Sequence, residues 1–528
     1  MSDALTEEVA SMIADRWSMP VRGIRLAFSL AVLSFVAGCA GPALQDEIRR
    51  SEPTFAKPPA ESGPVAELAS RVERMHGTGT SGFKLLDHSD EALIWRLALI
   101  DSATTSVDVM TYLWYPDVSG RLLLERVILA ARRGVHVRLV VDDLLTIDHD
   151  QLLVDLQNQP NIEVRLFNPW KERGVAARAG EMIAEMERLN TRMHAKLLVA
   201  DGRAAVIGGR NIGDHYFGLS EAYNFHDLDV LAVGPIADNA NSMFDHYWNS
   251  DWIVSADNLT AVADPAKARE TWENLQSAVR SAPELQNLPR EPRDWSDDLN
   301  RLTGELRPGT GYLVYDDVSA EEIAQSMIGT MFGFFNRAQE ELLITNAYVI
   351  PGEPAIEFLS ALDRRGVDIR ILTNSLASHD VPAVNSHYEG WRDDLINAGV
   401  ELYELRSDAA IRSIVEVPPV RGAFTGLHTK AAVIDGRYSF VGSMNLDPRS
   451  ANINTEMGII VDSPELAADL RRIMLRDMGG ENAWQVFLDD DGEPYWRNSD
   501  ETTRDQPSRG FMQNVMNVIF KILPKEQY

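Results

Sequence analysis

Apolar and polar positions alternate along this chain in two long stretches that predict the same elements in the same order. In residues 76–253, Leu93, Leu97 and Ile100 fall at helical spacing and predict a helix over Ala92–Ala103. The aliphatic run Ser106–Tyr112 predicts a strand. A second helix, Gly120–Arg133, is closed by Gly134, and a strand follows over Val135–Val141. Strand, helix and strand in such close succession predict a βαβ unit in a mainly parallel sheet. A charged helical run (Lys171–Asn190), two short apolar runs and a strand (Leu228–Val233) complete the stretch. Residues 311–480 repeat the order, with a helix over Ala320–Arg337, a strand over Leu342–Tyr348, a helix over Ala355–Arg365 closed by Gly366, and a strand over Val367–Leu372. Arg132-Arg133-Gly134-Val135 recurs as Arg364-Arg365-Gly366-Val367. Matching offsets of this kind mark an internal duplication. The expected architecture is α/β, with two mixed, mainly parallel sheets flanked by helices and related by a pseudo-two-fold axis.

The strongest repeat lies inside the two pairs of short apolar runs. From His194 the chain reads HAKLLVADGRAAVIGGRN, and from His428 it reads HTKAAVIDGRYSFVGSMN. Each copy is H-x-K, four residues, Asp, six residues, then Gly-Gly/Ser-x-Asn. Asp201-Gly202 and Asp435-Gly436 are hairpin signals between the runs. His and Lys two apart on a strand share a face. Each half therefore offers a His, a Lys and an Asn (His194, Lys196, Asn211; His428, Lys430, Asn445), with Asp201, Gly208, Gly209, Asp435, Gly442 and Ser443 shaping the motif. Lys and Asn suit the non-bridging oxygens of a phosphodiester, and bare glycine backbone lets a phosphate approach. Two histidines supply a nucleophile and a general acid. Asp229 and Glu456 stand at the openings of the last strands, where a carboxylate could fix a histidine tautomer.

Composition narrows the chemistry. A chain of 528 residues, 45% hydrophobic and 24% charged, is globular and large enough for the duplicated fold. Its net charge of −29 argues against a nucleic-acid groove. No Walker loop or dinucleotide fingerprint occurs, and no metal-type ligand cluster, so neither cofactor nor metal is expected. Cys39 is the one cysteine, which rules out an intrachain disulfide.

That cysteine ends a distinctive leader. Arg22 and Arg25 precede the uncharged Leu26–Gly38, too short to span a bilayer and suited to a signal-peptide core, with Met19 as a candidate start. The expected organisation is a lipoprotein signal peptide (1–38), a flexible Pro-, Glu- and Ala-rich tether (39–75), a first half (76–253), a polar connector with a helical patch at Ala266–Val279 (254–310), a second half (311–480) and a tail (481–528). In the tail, Phe511, Met512, Val515, Met516, Ile519, Phe520 and Leu523 form an apolar helical stripe.

The doubled motif resembles that of the phospholipase D superfamily, and Val36-Ala37-Gly38-Cys39 resembles a bacterial lipobox. Gly208–Asp214, Asp227–Val230, Asp447–Ser450 and Asn454–Gly458 are similar to bacterial cardiolipin synthases of the C type. The resemblance implies a metal-free phosphatidyltransferase that moves a phosphatidyl group, from phosphatidylethanolamine or phosphatidylglycerol, onto phosphatidylglycerol. It also implies His194 as the nucleophile, forming a phosphohistidine, with His428 as acid and then base. Sequence symmetry does not choose between the histidines. A hydrolytic phospholipase D is the alternative, and a nuclease is disfavoured by the acidity. The lipobox implies acylation of Cys39 and a periplasm-facing lipoprotein on the inner or outer membrane, working on membrane phospholipids without nucleic acid. The oligomeric state is left open.

Overall fold

The computed structural model describes residues 44, 49, 52–510 and 513, except 145, 147, 148 and 320–322. Its first half contains β1 (Ser81–Leu86), β2 (Ser106–Thr111), β3 (His136–Asp142), β4 (Ile162–Phe167), β5 (Leu197–Ala200), β6 (Ala204–Gly208), β7 (Asn224–His226), β8 (Asp229–Val233) and β9 (Ile253–Ser255). Eight of these lie side by side as β1-β8-β6-β5-β2-β3-β4-β9. The second half contains β10 (Arg307–Tyr315), β11 (Glu341–Asn346), β12 (Asp368–Asn374), β13 (Val400–Leu405), β14 (Thr425–Leu427), β15 (Lys430–Ile434), β16 (Tyr438–Gly442), β17 (Met457–Asp462) and β18 (Ala483–Leu488). It repeats the pattern as β10-β17-β16-β15-β11-β12-β13-β18. The duplicated α/β fold is therefore observed. The βαβ reading holds only for β2-β3-β4 and β11-β12-β13, which are parallel, while every other pair within the two half-sheets is antiparallel. The hairpins and return strands outnumber the crossovers, so "mainly parallel" overstated one part of a mixed sheet.

The halves are continuous. β1 pairs with its counterpart β10 (Ser81↔Gly309, Phe83↔Arg307), giving one 18-stranded sheet. A central core shared by both halves packs Phe83, Phe244 and Trp248 with Leu313, Met457 and Leu470. Two helices, Ile236–Trp248 and Pro464–Asp477, occupy equivalent places against it, each burying one face. The outer face of each half carries its own core under its own helices.

Three expected segments differ. The stretch 39–75 is not a free tether where it is described. Leu44 is buried, and Thr54 N and Ala56 N donate to Asn249 Oδ1 (3.1 Å) and the Asp245 carboxylate (3.0 Å). The helix Pro64–His76 buries Val65, Leu68 and Val72. Those three apolar side chains recur at helical spacing between charged ones and contribute about 1.5–3 kcal/mol each, enough to dock a segment whose average composition is polar. The connector 254–310 is equally built in. Its helix, Pro265–Ser281, is capped by Asp264 and packs on the helix Val118–Arg132, while β10 runs across the 310/311 boundary. In the tail, β18, β19 (Pro494–Arg497) and β20 (Thr502–Thr503) extend the second sheet. The predicted apolar stripe and the leader with Cys39 lie outside the described residues, and no helix among the described residues is long and apolar enough to cross a membrane.

Candidate active site

Each motif hairpin turns through two residues in the left-handed region, Asp201 and Gly202 (φ 54° and 60°) and Asp435 and Gly436 (50° and 60°). Asp and Gly are the residues that tolerate this conformation. The Asp201 carboxylate accepts from the backbone N–H of Thr104 (2.9 Å), Thr105 (2.7 Å) and Ser106 (3.1 Å). Asp435 does the same for Glu340 (2.9 Å) and Glu341 (3.0 Å). At about 3.3 Å per strand residue, these aspartates sit roughly 20 Å from the motif histidines. They tie each hairpin to the strand beside it.

At the other end of the hairpins the two halves meet. β7 pairs in parallel with β14 of the other half, matching His226 with Leu427, and the duplication repeats the contact as the bridge between Met193 and Thr455. His428 N donates to His226 O (2.8 Å), and His194 N donates to Thr455 O (2.9 Å). Each histidine is thus pinned beside a strand of the opposite half. Its ring is held the same way. His194 Nδ1 lies 2.8 Å from Glu456 Oε2, and His428 Nδ1 lies 2.6 Å from Asp227 Oδ2. A carboxylate accepting from Nδ1–H leaves the lone pair on Nε2.

Both rings, with Asn211, Asn445, Arg449 and Tyr348, line a single cavity of about 390 Å³ at this junction. Tyr112 stands edge-on to His194 and Tyr216 edge-on to His428, each at 5.1 Å between ring centres. Lys196 and Lys430 are buried and do not line the cavity, and each Nζ donates to the carbonyl of its own histidine (2.6 Å for Lys196). Asn211 accepts from Leu113 N (3.3 Å) and donates to Tyr216 Oη (2.7 Å). Asn445 Oδ1 is buried without a hydrogen-bond partner among the described residues.

Two expectations are corrected. Asp229 does not orient a histidine; it takes salt bridges from Arg96 (2.9 Å) and Arg210 (3.1 Å). The cause is register. Gly208 pairs with Asp229, whereas Gly442 pairs with Gly458, so the counterpart of Glu456 is Asp227. A shift of two residues keeps the same face, and alternation alone cannot detect it. The motif glycines, moreover, make room for protein rather than phosphate. A Cβ on Gly209 would stand 2.2 Å from Asp227 Oδ1, and one on Gly442 would stand 2.5 Å from Met457 O. Ser443, at the place of Gly209, donates its hydroxyl to Glu456 Oε2 (2.5 Å).

Sequence reasoning also missed Arg449 as a site residue. It crosses the seam to Asn190 (2.6 and 2.8 Å) and charges the cavity wall. The motif signal lay in the short stretch Asp447–Ser450, but its direction did not.

Electrostatically the two pairs differ. Burial, then the charges of Lys196, Lys430 and Arg449, holds His194 well below the ordinary imidazole range. Burial and Lys430 bring His428 down to about 4, opposed by Asp227. Burial raises Glu456 to about 7 against the pull of Lys196. Burial alone would raise Asp227 too, but His428, Lys430 and Arg210 outweigh it and hold that carboxyl below its usual range. Burial brings Lys430 down to about 8 and Lys196 far below its ordinary value. No cluster of three metal-type ligands occurs among the described residues.

A duplicated sheet with two crosswise histidine–carboxylate pairs at one seam defines the phospholipase D class of enzymes. The chain matches the family described as cardiolipin synthase, PLD-like domain, over residues 97–248 and 331–478, and it belongs to that family. It is 34% identical over 465 residues to cardiolipin synthase C of Escherichia coli K12, covering 85% of this chain and 96% of that protein. It is 23% identical over 430 residues to cardiolipin synthase A of Yersinia pseudotuberculosis, covering 81% and 75%. Among solved structures, a phosphatidylserine synthase from Haemophilus influenzae shares the fold with a TM-score of 0.50 at 15% identity, over 78% of this chain and 91% of that one.

Proposed function

We propose that this enzyme makes cardiolipin by moving a phosphatidyl group, from phosphatidylethanolamine or phosphatidylglycerol, onto phosphatidylglycerol. The observation that carries this is the pair of buried histidines, each oriented through Nδ1 by the other half's carboxylate and both facing one cavity. The relatives named as cardiolipin synthases over most of the chain supply the substrate class.

The chemistry follows from the charges. His194, kept neutral, attacks phosphorus with the Nε2 lone pair. The P–N bond forms as the bond to the head-group oxygen breaks, and His428 Nε2–H gives that oxygen its proton. The acceptor hydroxyl then returns a proton to His428, its oxygen attacks phosphorus, and the P–N bond breaks to restore His194. His428 must be charged in the first step, and the ionised Asp227 on its Nδ1 favours that form. The incoming phosphodiester anion adds to it. Arg449 and the motif lysines offset the negative charge that gathers on the phosphoryl oxygens. One diester is exchanged for another, so no nucleotide is consumed.

Hydrolysis differs only in the acceptor. Purified enzyme given phosphatidylethanolamine with water, glycerol or phosphatidylglycerol should yield cardiolipin as its main product in the last case. Phosphatidic acid as the main product in all three would make it a hydrolase. We further propose that Cys39 carries the lipid anchor in the cell envelope. Cys39→Ser should abolish palmitate labelling, and a mutant that is still labelled would refute the anchor.

A further inference from the structure

Two further cavities flank the central one, one in each half. The first, about 420 Å³, lies between the helices Val118–Arg132, Asp150–Gln157 and Pro265–Ser281, with walls that include Leu124, Leu153 and Leu275. The second, about 360 Å³, lies against the helices Ser326–Phe335 and Gly352–Asp363, with walls that include Phe332, Phe358 and Leu359. Both are lined mainly by aliphatic and aromatic side chains. Both abut the central cavity, because Tyr115 lines the first and the centre, while Ile350 and Asp447 line the second and the centre.

The duplication relates them. Trp114, which lines the first pocket, is bridged to Ile212, one residue past the motif Asn211. In the other half, Val349 and Leu446, which both line the second pocket, are bridged one residue past Asn445. Tyr115-Pro116 and Ile350-Pro351 follow in the two halves, and Leu124 and Leu359 hold equivalent helix positions. Both pockets fall in the size range of small-molecule sites, and their lining suits an apolar ligand.

We propose that the two side pockets hold acyl chains of two different lipids, the phosphatidyl donor in one and the lipid acceptor in the other. The inference rests on phosphatidyl transfer as proposed above, and it adds why the acceptor is a lipid. The phosphatidyl group stays bound through both chemical steps, so its chains keep one pocket throughout. The head-group alcohol that leaves needs no apolar pocket, and neither does water. The two pockets lie in opposite halves on either side of the centre, an arrangement that suits two lipids meeting at one phosphate better than the paired chains of a single lipid. Anchoring the acceptor's chains converts the second step from a collision with a dilute alcohol into attack by a bound one, which favours the lipid over water.

The test uses short-chain phosphatidylethanolamine and phosphatidylglycerol below their aggregation concentrations, so that chain length reports on the protein rather than on a membrane. In the wild type, kcat/KM should rise by up to about fourfold per added methylene for each lipid, the value expected for burying one methylene. Leu124→Trp and Ala278→Phe plug the first pocket; Leu359→Trp and Ala355→Phe plug the second. Two variants per pocket guard against one that fails to fold, which a thermal melt detects. Plugging one pocket should flatten the dependence on donor chain length. Plugging the other should flatten the dependence on acceptor chain length and raise transfer to glycerol relative to phosphatidylglycerol by at least about tenfold. Unchanged dependence in all four variants, or both pockets acting on the same lipid, would overturn the inference. Head-group release without any transfer in the wild type would instead overturn the functional reading, and the donor pocket would still be read from release.

Discussion

The two half-sites come from one duplicated motif, yet their carboxylates have diverged. His194 faces Glu456, which also takes the hydroxyl of Ser443 and is raised to about 7 by burial. His428 faces Asp227, which is held ionised by its histidine, Lys430 and Arg210 against the cost of burial. The backbone scaffold is the same on both sides, down to the cross-half bond from each histidine N–H. What differs is the stance of the carboxylate, and that difference fits the two roles proposed for the histidines. A partner that can take up a proton near neutral pH does little to favour an imidazolium and leaves a neutral nucleophile. A partner that stays charged favours the imidazolium that a general acid must be.

The largest effect should come from the histidines themselves. His194→Ala and His428→Ala should each lower lipid transfer by about 10⁴–10⁶-fold, as when one member of a catalytic unit is removed. Only His428→Ala should regain substantial p-nitrophenol release from a p-nitrophenyl phosphodiester, whose leaving group needs no proton. Equal rescue of both would erase the proposed division of roles.

Next come the partners. Asp227→Asn keeps the shape but removes the charge that favours imidazolium, and a loss of about 10³–10⁴-fold in kcat is expected. Glu456→Gln should cost about 10–100-fold, because its partner works as a neutral base. A steady-state comparison in which the Glu456 change is the more damaging would reverse the reading.

A smaller effect lies in pH. Lys430 is charged below about 8, so kcat/KM should fall as pH rises through that value and the phosphate loses a counter-charge. Lys430→Arg should flatten this alkaline limb, and an unmoved limb would assign it to another group. The smallest concerns Ser443→Ala. It removes one hydrogen bond to Glu456 and should change kcat by about two- to tenfold, with no matching partner to delete at Gly209.

Much of this was legible in the chain because spacing survives folding. His194, Lys196, Asn211 and their counterparts were found by offset alone, and the Asp-Gly turns announced the hairpins that carry them. Asp227 was missed because Asp229 shares its face and only the strand register separates them. The helix Pro64–His76 was hidden by its charged neighbours, since docking depends on three side chains rather than on average polarity. The exchange of carboxylates between halves could not be read at all, because no local pattern records which strand of one half will lie beside the other.

The proposed mechanism has His194 attack phosphorus while His428 carries the proton. Enzyme incubated with a p-nitrophenyl phosphodiester, quenched in alkaline denaturant and digested, can be mapped by mass spectrometry. A phosphoryl adduct is expected on the peptide containing His194, most abundant in His428→Ala, where the second step is slow. An adduct on His428 with His194 unmodified in the wild type would contradict it.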